Sequence, residues 1–433
     1  MGCIAALTTP LLVNAVVVSS RYLGVNDVLS DYLFGIGWAA LLGFSILLWP
    51  VPSQHKRILL LLWLARCLVT LGFMLWYEYH YAAMDARGYF FRALQMEDGW
   101  GALGDSSGTS HITGLVWLHH QFLPDSYHGV KVTFSMVGLI STYTLYRAAV
   151  LFLQRDVPHL LYVLGLYPSI LLWSSLLGKD PIVTLGISFY AYGVIGQYRH
   201  RNVLYVLLIA LGVVIATWIR PWMALILVAP LITFALFATQ GLTFKVIFSI
   251  LFIAGVSASF NLFTERFQLE TTQDVLNRIE TVHSNLDIGG SASKVDMKMQ
   301  SLNSVFAYLP FGMFTALFRP LPGEVRTLFG SMAGVENGVL LILVMLAVKR
   351  SRLSDLWNPI VLWALSLIVI WAGFYAFVSY NLGTAVRYRL QVLPILICVI
   401  LYFAQKKIRA ESGIQQQRFV QGSTQARLKD AGT

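Results

Sequence analysis

Charged side chains are scarce in this sequence, 12% of 433 residues against 57% hydrophobic. That is about half the charge a soluble domain usually carries, too little to cover a water-facing surface. Cysteine is scarcer still. Cys3, Cys67 and Cys398 follow no metal-ligand spacing, and two of them fall inside apolar runs, so no disulfide framework is indicated. Acidic residues number 21 against 31 basic ones, a net charge of +10. The excess does not point to nucleic acid, because Lys and Arg sit at the ends of apolar blocks, where they fix topology. No phosphate-cradling glycine loop, nucleophile elbow or HExxH motif occurs. There is no fixed-period repeat and no inverted-repeat signal of the transporter type. The first apolar block lacks a basic lead-in and a small-residue cleavage site, so it reads as a first span and not as a removed signal peptide.

What the sequence does have is apolar blocks of roughly 17–22 residues, the length that crosses a hydrocarbon core. They predict an all-α polytopic integral membrane protein of about twelve transmembrane helices. The spans fall near 3–20, 31–50, 58–77, 130–152, 159–177, 181–197, 203–219, 221–240, 245–263, 333–348, 359–379 and 390–405. The basic clusters His55-Lys56-Arg57, Arg199-His200-Arg201, Lys349–Arg352 and Lys406–Arg409 then share one side with both termini. That side is the cytoplasm by the positive-inside rule. Two long external loops result, 78–129 and 264–332. The apolar run Val305 to Phe318 is short and interrupted by Pro310 and Gly312, so 305–331 reads as re-entrant or interfacial. The organisation is two leading helices (1–57), a helical module (58–263), the second loop (264–332), the last helices (333–409) and a disordered tail (410–433).

Several polar residues are explained neither by composition nor by anchoring. Asp85 heads Asp85-Ala86-Arg87-Gly88-Tyr89-Phe90 just outside the third span, where a carboxylate can serve as a base or stand as a solvated loop acid. Lys179-Asp180 occupies the tight outer turn between spans five and six, as a charge pair that needs partners if it is buried. Arg220-Pro221, Arg319-Pro320 with Glu324 and Arg326, and Arg387-Tyr388-Arg389 all lie outside, where the positive-inside rule disfavours them. Guanidinium groups there suit phosphate or carboxylate, or they snorkel to the interface. His111, His119, His120 and His128 show no recognised metal spacing.

On these residues the chain resembles the GT-C superfamily of membrane glycosyltransferases, and among them bacterial relatives of the protein-mannosyltransferase and aminoarabinose-transferase group. The likeness runs from the third span to the twelfth. It rests on Asp85 opening the first large loop with Tyr89 behind it, Lys179-Asp180 two spans later, and Arg220-Pro221 after a hydrophobic helix. The ending Asn381-Leu382-Gly383-Thr384 with Arg387-Tyr388-Arg389 and Pro394 completes it, and Phe318–Glu324 is similar to polysaccharide-locus members. A second acid beside Asp85 and a large soluble C-terminal domain are missing from the pattern. The resemblance implies inverting transfer of a sugar from a polyprenyl-phosphate donor to a glycan, lipid or protein acceptor at the extracytoplasmic face of a bacterial inner membrane. Asp85 and Asp180 would be the catalytic acids. Lys179, Arg220, Arg319, Arg387 and Arg389 would hold the donor phosphate, and Arg87, Tyr89, Glu324 and Asn381 would contact acceptor or sugar. A divalent cation is left open. Two other readings stay open at this level: an O-antigen-type polymerase or ligase using a lipid diphosphate, and a transporter of lipid-linked oligosaccharide.

Overall fold

The computed structural model describes residues 28–80, 85–237, 242–267, 301–325, 327–378 and 381–404, with positions 273, 274 and 276. The expected span at 3–20, residues 268–272, 275, 277–300 and 326 of the second loop, and the tail 410–433 lie outside the described residues. Within them the chain is all-helical. The helices are α1 (Val28–Ser45), α2 (Ser53–Cys67), α3 (Met74–His80), α4 (Asp85–Leu94), α5 (Trp100–Gly104), α6 (Gly108–Phe122) and α7 (Tyr127–Leu153). There follow α8 (Pro158–Leu166), α9 (Pro168–Trp173), α10 (Lys179–His200), α11 (Val203–Ile219), α12 (Met223–Val228), α13 (Leu231–Phe237) and α14 (Leu242–Phe267). The set closes with α15 (Leu302–Phe318), α16 (Leu328–Arg350), α17 (Leu353–Leu356), α18 (Pro359–Tyr375), α19 (Leu382–Arg389) and α20 (Leu393–Ala404).

Twelve full-length crossings are not supported. Among the described residues three helices are long and apolar enough to cross a membrane, Leu29–Leu48, α7 and α16, and the bent pair α19 and α20 brings the number to four. The pattern is that of a membrane protein. The shortfall has a local cause, because an apolar run does not reveal where its backbone breaks. The expected span 159–177 is split where Pro168 starts α9 without an N–H to give back to α8, and 221–240 is split before Leu231 at Pro230. Val203–Ile219 and Pro359–Tyr375 stop at 17 residues each.

The first external loop is not a loop over most of its length. Ala86, Tyr89, Phe90 and Ala93 recur at helical spacing and are all buried, which makes α4 an amphipathic helix packed on α6. The interruption expected at Pro310 and Gly312 is also absent, since α15 runs through both. Proline inside a helix is tolerated where neighbouring helices cover the freed carbonyl. Gly312 is needed for that packing, because a Cβ there would lie 2.7 Å from the Ala376 Cβ.

The bundle is centred on α7 and α10, with α11 against the far side of α10. Polar side chains pin its irregular stretches. Arg66, wholly buried, donates to the Ser174 carbonyl at 3.1 Å, to Ser175 Oγ at 3.2 Å and to Thr142 Oγ1 at 2.7 Å. Thr70, in the π-helical segment Leu68–Phe73, donates to the Ser175 carbonyl at 3.0 Å. These bonds fix the turn between α9 and α10. Gly138 of α7 lets that turn approach, since a Cβ there would sit 1.8 Å from the Ser174 oxygen. Gly138→Ala should therefore destabilise the protein by about 1–3 kcal/mol, the usual cost of overpacking. The effect would appear as earlier unfolding in a thermal scan in detergent.

Candidate functional site

Two cavities meet at the starts of α4 and α10 and the end of α19. One is polar, about 380 Å³, with Asp85, Tyr89, Lys179, Arg220, Arg387 and Tyr388 on its walls. The other is an apolar groove of about 700 Å³ between α9, the π-helical segment and the start of α16. Asp85 and Arg387 line both, and Asp180 reaches the groove side.

Local sequence explains how each wall is placed. Asp85 begins α4, where the helix dipole favours an anion, and the buried apolar stripe behind it holds that turn at the cavity edge. Ser107 caps α6 by accepting from the Thr109 amide at 3.3 Å. Its neighbour must be glycine, because a Cβ on Gly108 would lie 2.1 Å from the Ile219 carbonyl oxygen. That close approach sets the start of α6 against the end of α11, and Arg220 follows there because Pro221 cannot extend the helix. Asn381 caps α19, accepting from the Gly383 and Thr384 amides at 3.0 and 3.2 Å, and so sets the register that delivers Arg387.

Asp180 is the electrostatic centre. Its side chain is 5% exposed, and Arg220 Nη2 donates to one carboxylate oxygen at 2.7 Å while Arg387 Nε donates to the other at 2.5 Å. Burial pushes the Asp180 carboxyl up, but Arg387 and then Arg220 outweigh burial and hold it below its ordinary value. Arg387 also reaches Asp85 at 3.5 Å and lies over the Trp173 ring at 5.4 Å. Arg220 lies over the Tyr388 ring at 4.3 Å, and its Nη1 is buried with no hydrogen-bond partner among the described residues. Lys179 donates to Thr109 Oγ1 at 2.9 Å, and burial together with Arg220 and Arg387 lowers its pKa. Tyr89 is pushed up to about 12 by burial and by Asp85, so it stays a neutral hydroxyl.

The structure thus brings together Asp85, Tyr89, Lys179, Asp180, Arg220 and Arg387. It does not bring Arg389, Arg319 or Glu324 to the polar cavity. Arg389 is buried, donates to the Ala316 carbonyl at 3.0 Å, and also bonds the Arg319 carbonyl and Asn337 Oδ1. Arg319 pairs with Glu324 at 2.9 Å. Arg87 is exposed and lines neither cavity, and Asn381 acts as the cap described above. Both Asp180 oxygens are committed to arginines, which leaves Asp85 as the carboxylate of the polar wall. That donor set does not fit a divalent cation. Among the described residues no three His, Cys, Asp or Glu side chains gather as a metal centre. His119 and His120 belong to α6 packing, His119 bonding Thr133 Oγ1 at 2.9 Å and His120 facing Asp125 at 3.5 Å.

Sequence reasoning missed a second set of charges on the groove. Lys131 reaches both Glu78 oxygens at 3.0 and 3.1 Å, Tyr127 donates to the same carboxylate at 2.9 Å, and Glu336 accepts from Ser169 Oγ at 2.6 Å. The available signal was a lysine and a glutamate inside runs otherwise apolar, the places where membrane helices keep ionisable pairs.

Comparison of the chain with protein-family models, with curated proteins and with solved structures finds no match. Function must therefore be argued from the site. Removing the Asp180 charge should be costly, because Asp180→Asn leaves the buried Arg220 without its anion, a loss of about 3–5 kcal/mol, while the half-buried Arg387 keeps Asp85. Asp85→Asn, at a side chain 68% exposed, should change stability by no more than about 0.5 kcal/mol. Thermal unfolding of the two purified variants side by side checks both values.

Proposed function

We propose that the protein is a membrane glycosyltransferase that moves a sugar from a polyprenyl-phosphate donor to an acceptor at the extracytoplasmic face. The observation that carries this reading is the junction itself: an apolar groove and a cationic polar cavity share Asp85 and Arg387 on their common edge. A prenyl chain fits the groove, and its phosphate meets Arg387 where the groove ends.

The charges favour a monophosphate. Around the junction three cations, Lys179, Arg220 and Arg387, face two carboxylates, Asp85 and Asp180, an excess of one positive charge. A sugar phosphodiester brings one negative charge and neutralises the site. A lipid diphosphate of the polymerase or ligase kind would bring more than the walls offset.

In the transfer, an Asp85 oxygen takes the proton of the acceptor hydroxyl. The acceptor oxygen bonds to the anomeric carbon from the face opposite the phosphate, with inversion. The bond from that carbon to the phosphate oxygen breaks, and its electron pair leaves with the polyprenyl phosphate. Asp85 loses its charge as the leaving phosphate gains one, so the site stays neutral along the reaction. Fixed cations aimed at developing charge are the strongest catalytic contribution available here. Asp180 acts as a positioning residue, holding Arg220 and Arg387 in place, and Tyr388 lines the cavity a sugar would enter, with Tyr89 buried in its wall.

The reading keeps about twelve crossings, some of them made by pairs of short helices that meet at prolines. Both termini are cytoplasmic, the membrane is a bacterial inner membrane, and the product belongs to the cell envelope or an exopolysaccharide. The acceptor is a glycan, a lipid or a protein.

The test is transfer of sugar from a polyprenyl-phosphate donor in membranes containing Asp85→Asn. Loss of a positioned general base should lower kcat by about 10²–10⁴-fold. The same variant should retain its fold and its binding of polyprenyl monophosphate. Undiminished transfer by Asp85→Asn would remove the assignment.

A further inference from the structure

Resting on the lipid-donor reading of the groove, we infer that the prenyl chain enters sideways from the membrane, through a doorway between α16 and the π-helical end of α2 that Phe329 narrows. A chain lying in the groove with its phosphate at Arg387 must leave the protein at the opposite end. The groove wall at that end is α16, one of the three membrane-length helices, of which only 22% is buried in its apolar window. Met332 lines the groove and is 52% exposed, and Leu328 beside it is 69% exposed. The rim is therefore open to whatever surrounds α16, which in a membrane is hydrocarbon.

Aromatic rings cross the gap at this rim. Phe329 stands 5.4 Å from Phe73 and 5.8 Å from Tyr77, centre to centre, both in edge-on geometry. Phe73 is the last residue of the π-helical segment, an irregularity that displaces side chains relative to a regular helix and is common at functional sites. Two turns further along α16, Glu336 is held by the Ser169 amide at 3.2 Å and by Ser169 Oγ at 2.6 Å.

The contact of α16 with the segment 320–325, which also lines the groove, is built differently. A Cβ on Gly330 would lie 2.2 Å from the Val325 side chain, and one on Gly334 would lie 2.9 Å from the Leu321 oxygen. Asn337 donates to the Pro320 carbonyl at 2.8 Å. Backbone packing and a buried amide bond thus fix α16 to the segment 320–325, while ring edges close its contact with the π-helical segment. Ring edges can part and reseat without exposing a polar group to hydrocarbon. The doorway is on that side.

The experiment uses the full chain in phosphatidylethanolamine–phosphatidylglycerol vesicles, with Cys3, Cys67 and Cys398 replaced by alanine. Phe73→Cys and Phe329→Cys are introduced together and joined by a short reducible bis-thiosulfonate linker. The probe is a long-chain polyprenyl monophosphate with a photoreactive tail, and the readout is its rate of crosslinking to groove peptides. The joined form should load at least tenfold more slowly than the reduced form and recover on reduction. A short-chain, water-soluble prenyl monophosphate, able to enter from the polar cavity, should load both forms equally. Phe329→Ala in the native background should load the long-chain probe at least threefold faster. Equal long-chain loading of the joined and reduced forms, or equal slowing of both probes, overturns the doorway and leaves the transferase reading standing. No labelling in any form overturns both.

Discussion

Asp180 is nearly sealed from solvent, and a lone carboxylate there would cost several kcal/mol in desolvation. It exists because Arg220 and Arg387 each take one of its oxygens, and they exist as buried cations because of it. This three-body clamp ties the start of α10 to the end of α11 and to α19, elements far apart in sequence. It determines where both cavities lie and which guanidinium nitrogens remain for a ligand. Arg220 lines the polar cavity, and among the described residues its buried Nη1 has no hydrogen-bond partner.

Around the clamp the protein separates two solvents. The groove wall is mainly aliphatic and aromatic, with Glu78, Lys131 and Glu336 held in hydrogen bonds, the polar wall is ionic, and Arg387 belongs to both. A ligand with one apolar and one anionic end gains from both environments when it spans the junction. A ligand lacking either end gains from one. On the proposed reading, selectivity for an amphiphilic phosphate would follow from this geometry without a dedicated recognition loop.

Much of the site was legible because it breaks a rule. Arg220 and Arg387 drew notice as arginines on the side that the positive-inside rule disfavours, and Asp85 and Lys179-Asp180 as charges set directly beside apolar spans. Arg319 and Arg389 broke the same rule and were grouped with them, yet Arg389 is consumed by the Ala316 and Arg319 carbonyls and Arg319 by Glu324. A sequence gives an arginine's side of the membrane but not whether backbone carbonyls fill its donors. The fold was legible to the level of an apolar helical bundle. Its breaks were not, because a proline in an apolar run reads the same whether neighbours cover the freed carbonyl, as at Pro310, or the helix ends, as at Pro168 and Pro230. Helices α4 and α6 were read as loop because their polar faces masked short buried stripes.

The same accounting bears on the field at the site. Arg66 and Arg389 are both buried and bonded to carbonyls, hydroxyls and an amide, and among the described residues neither forms an ion pair. Neutral acceptors satisfy a guanidinium's hydrogen bonds without cancelling its charge. Arg66 fixes the turn after α9 that carries Lys179 and Asp180, while Arg389 sits two residues beyond Arg387 on α19. Structural arginines of this kind therefore contribute positive potential to a low-dielectric interior next to the junction, where it decays less than it would in water. On the proposed reading, an anionic headgroup would be drawn toward the groove mouth by charges it never touches. The residues that hold the scaffold and those that would meet the ligand would then act on the same anion, by field in one case and by contact in the other.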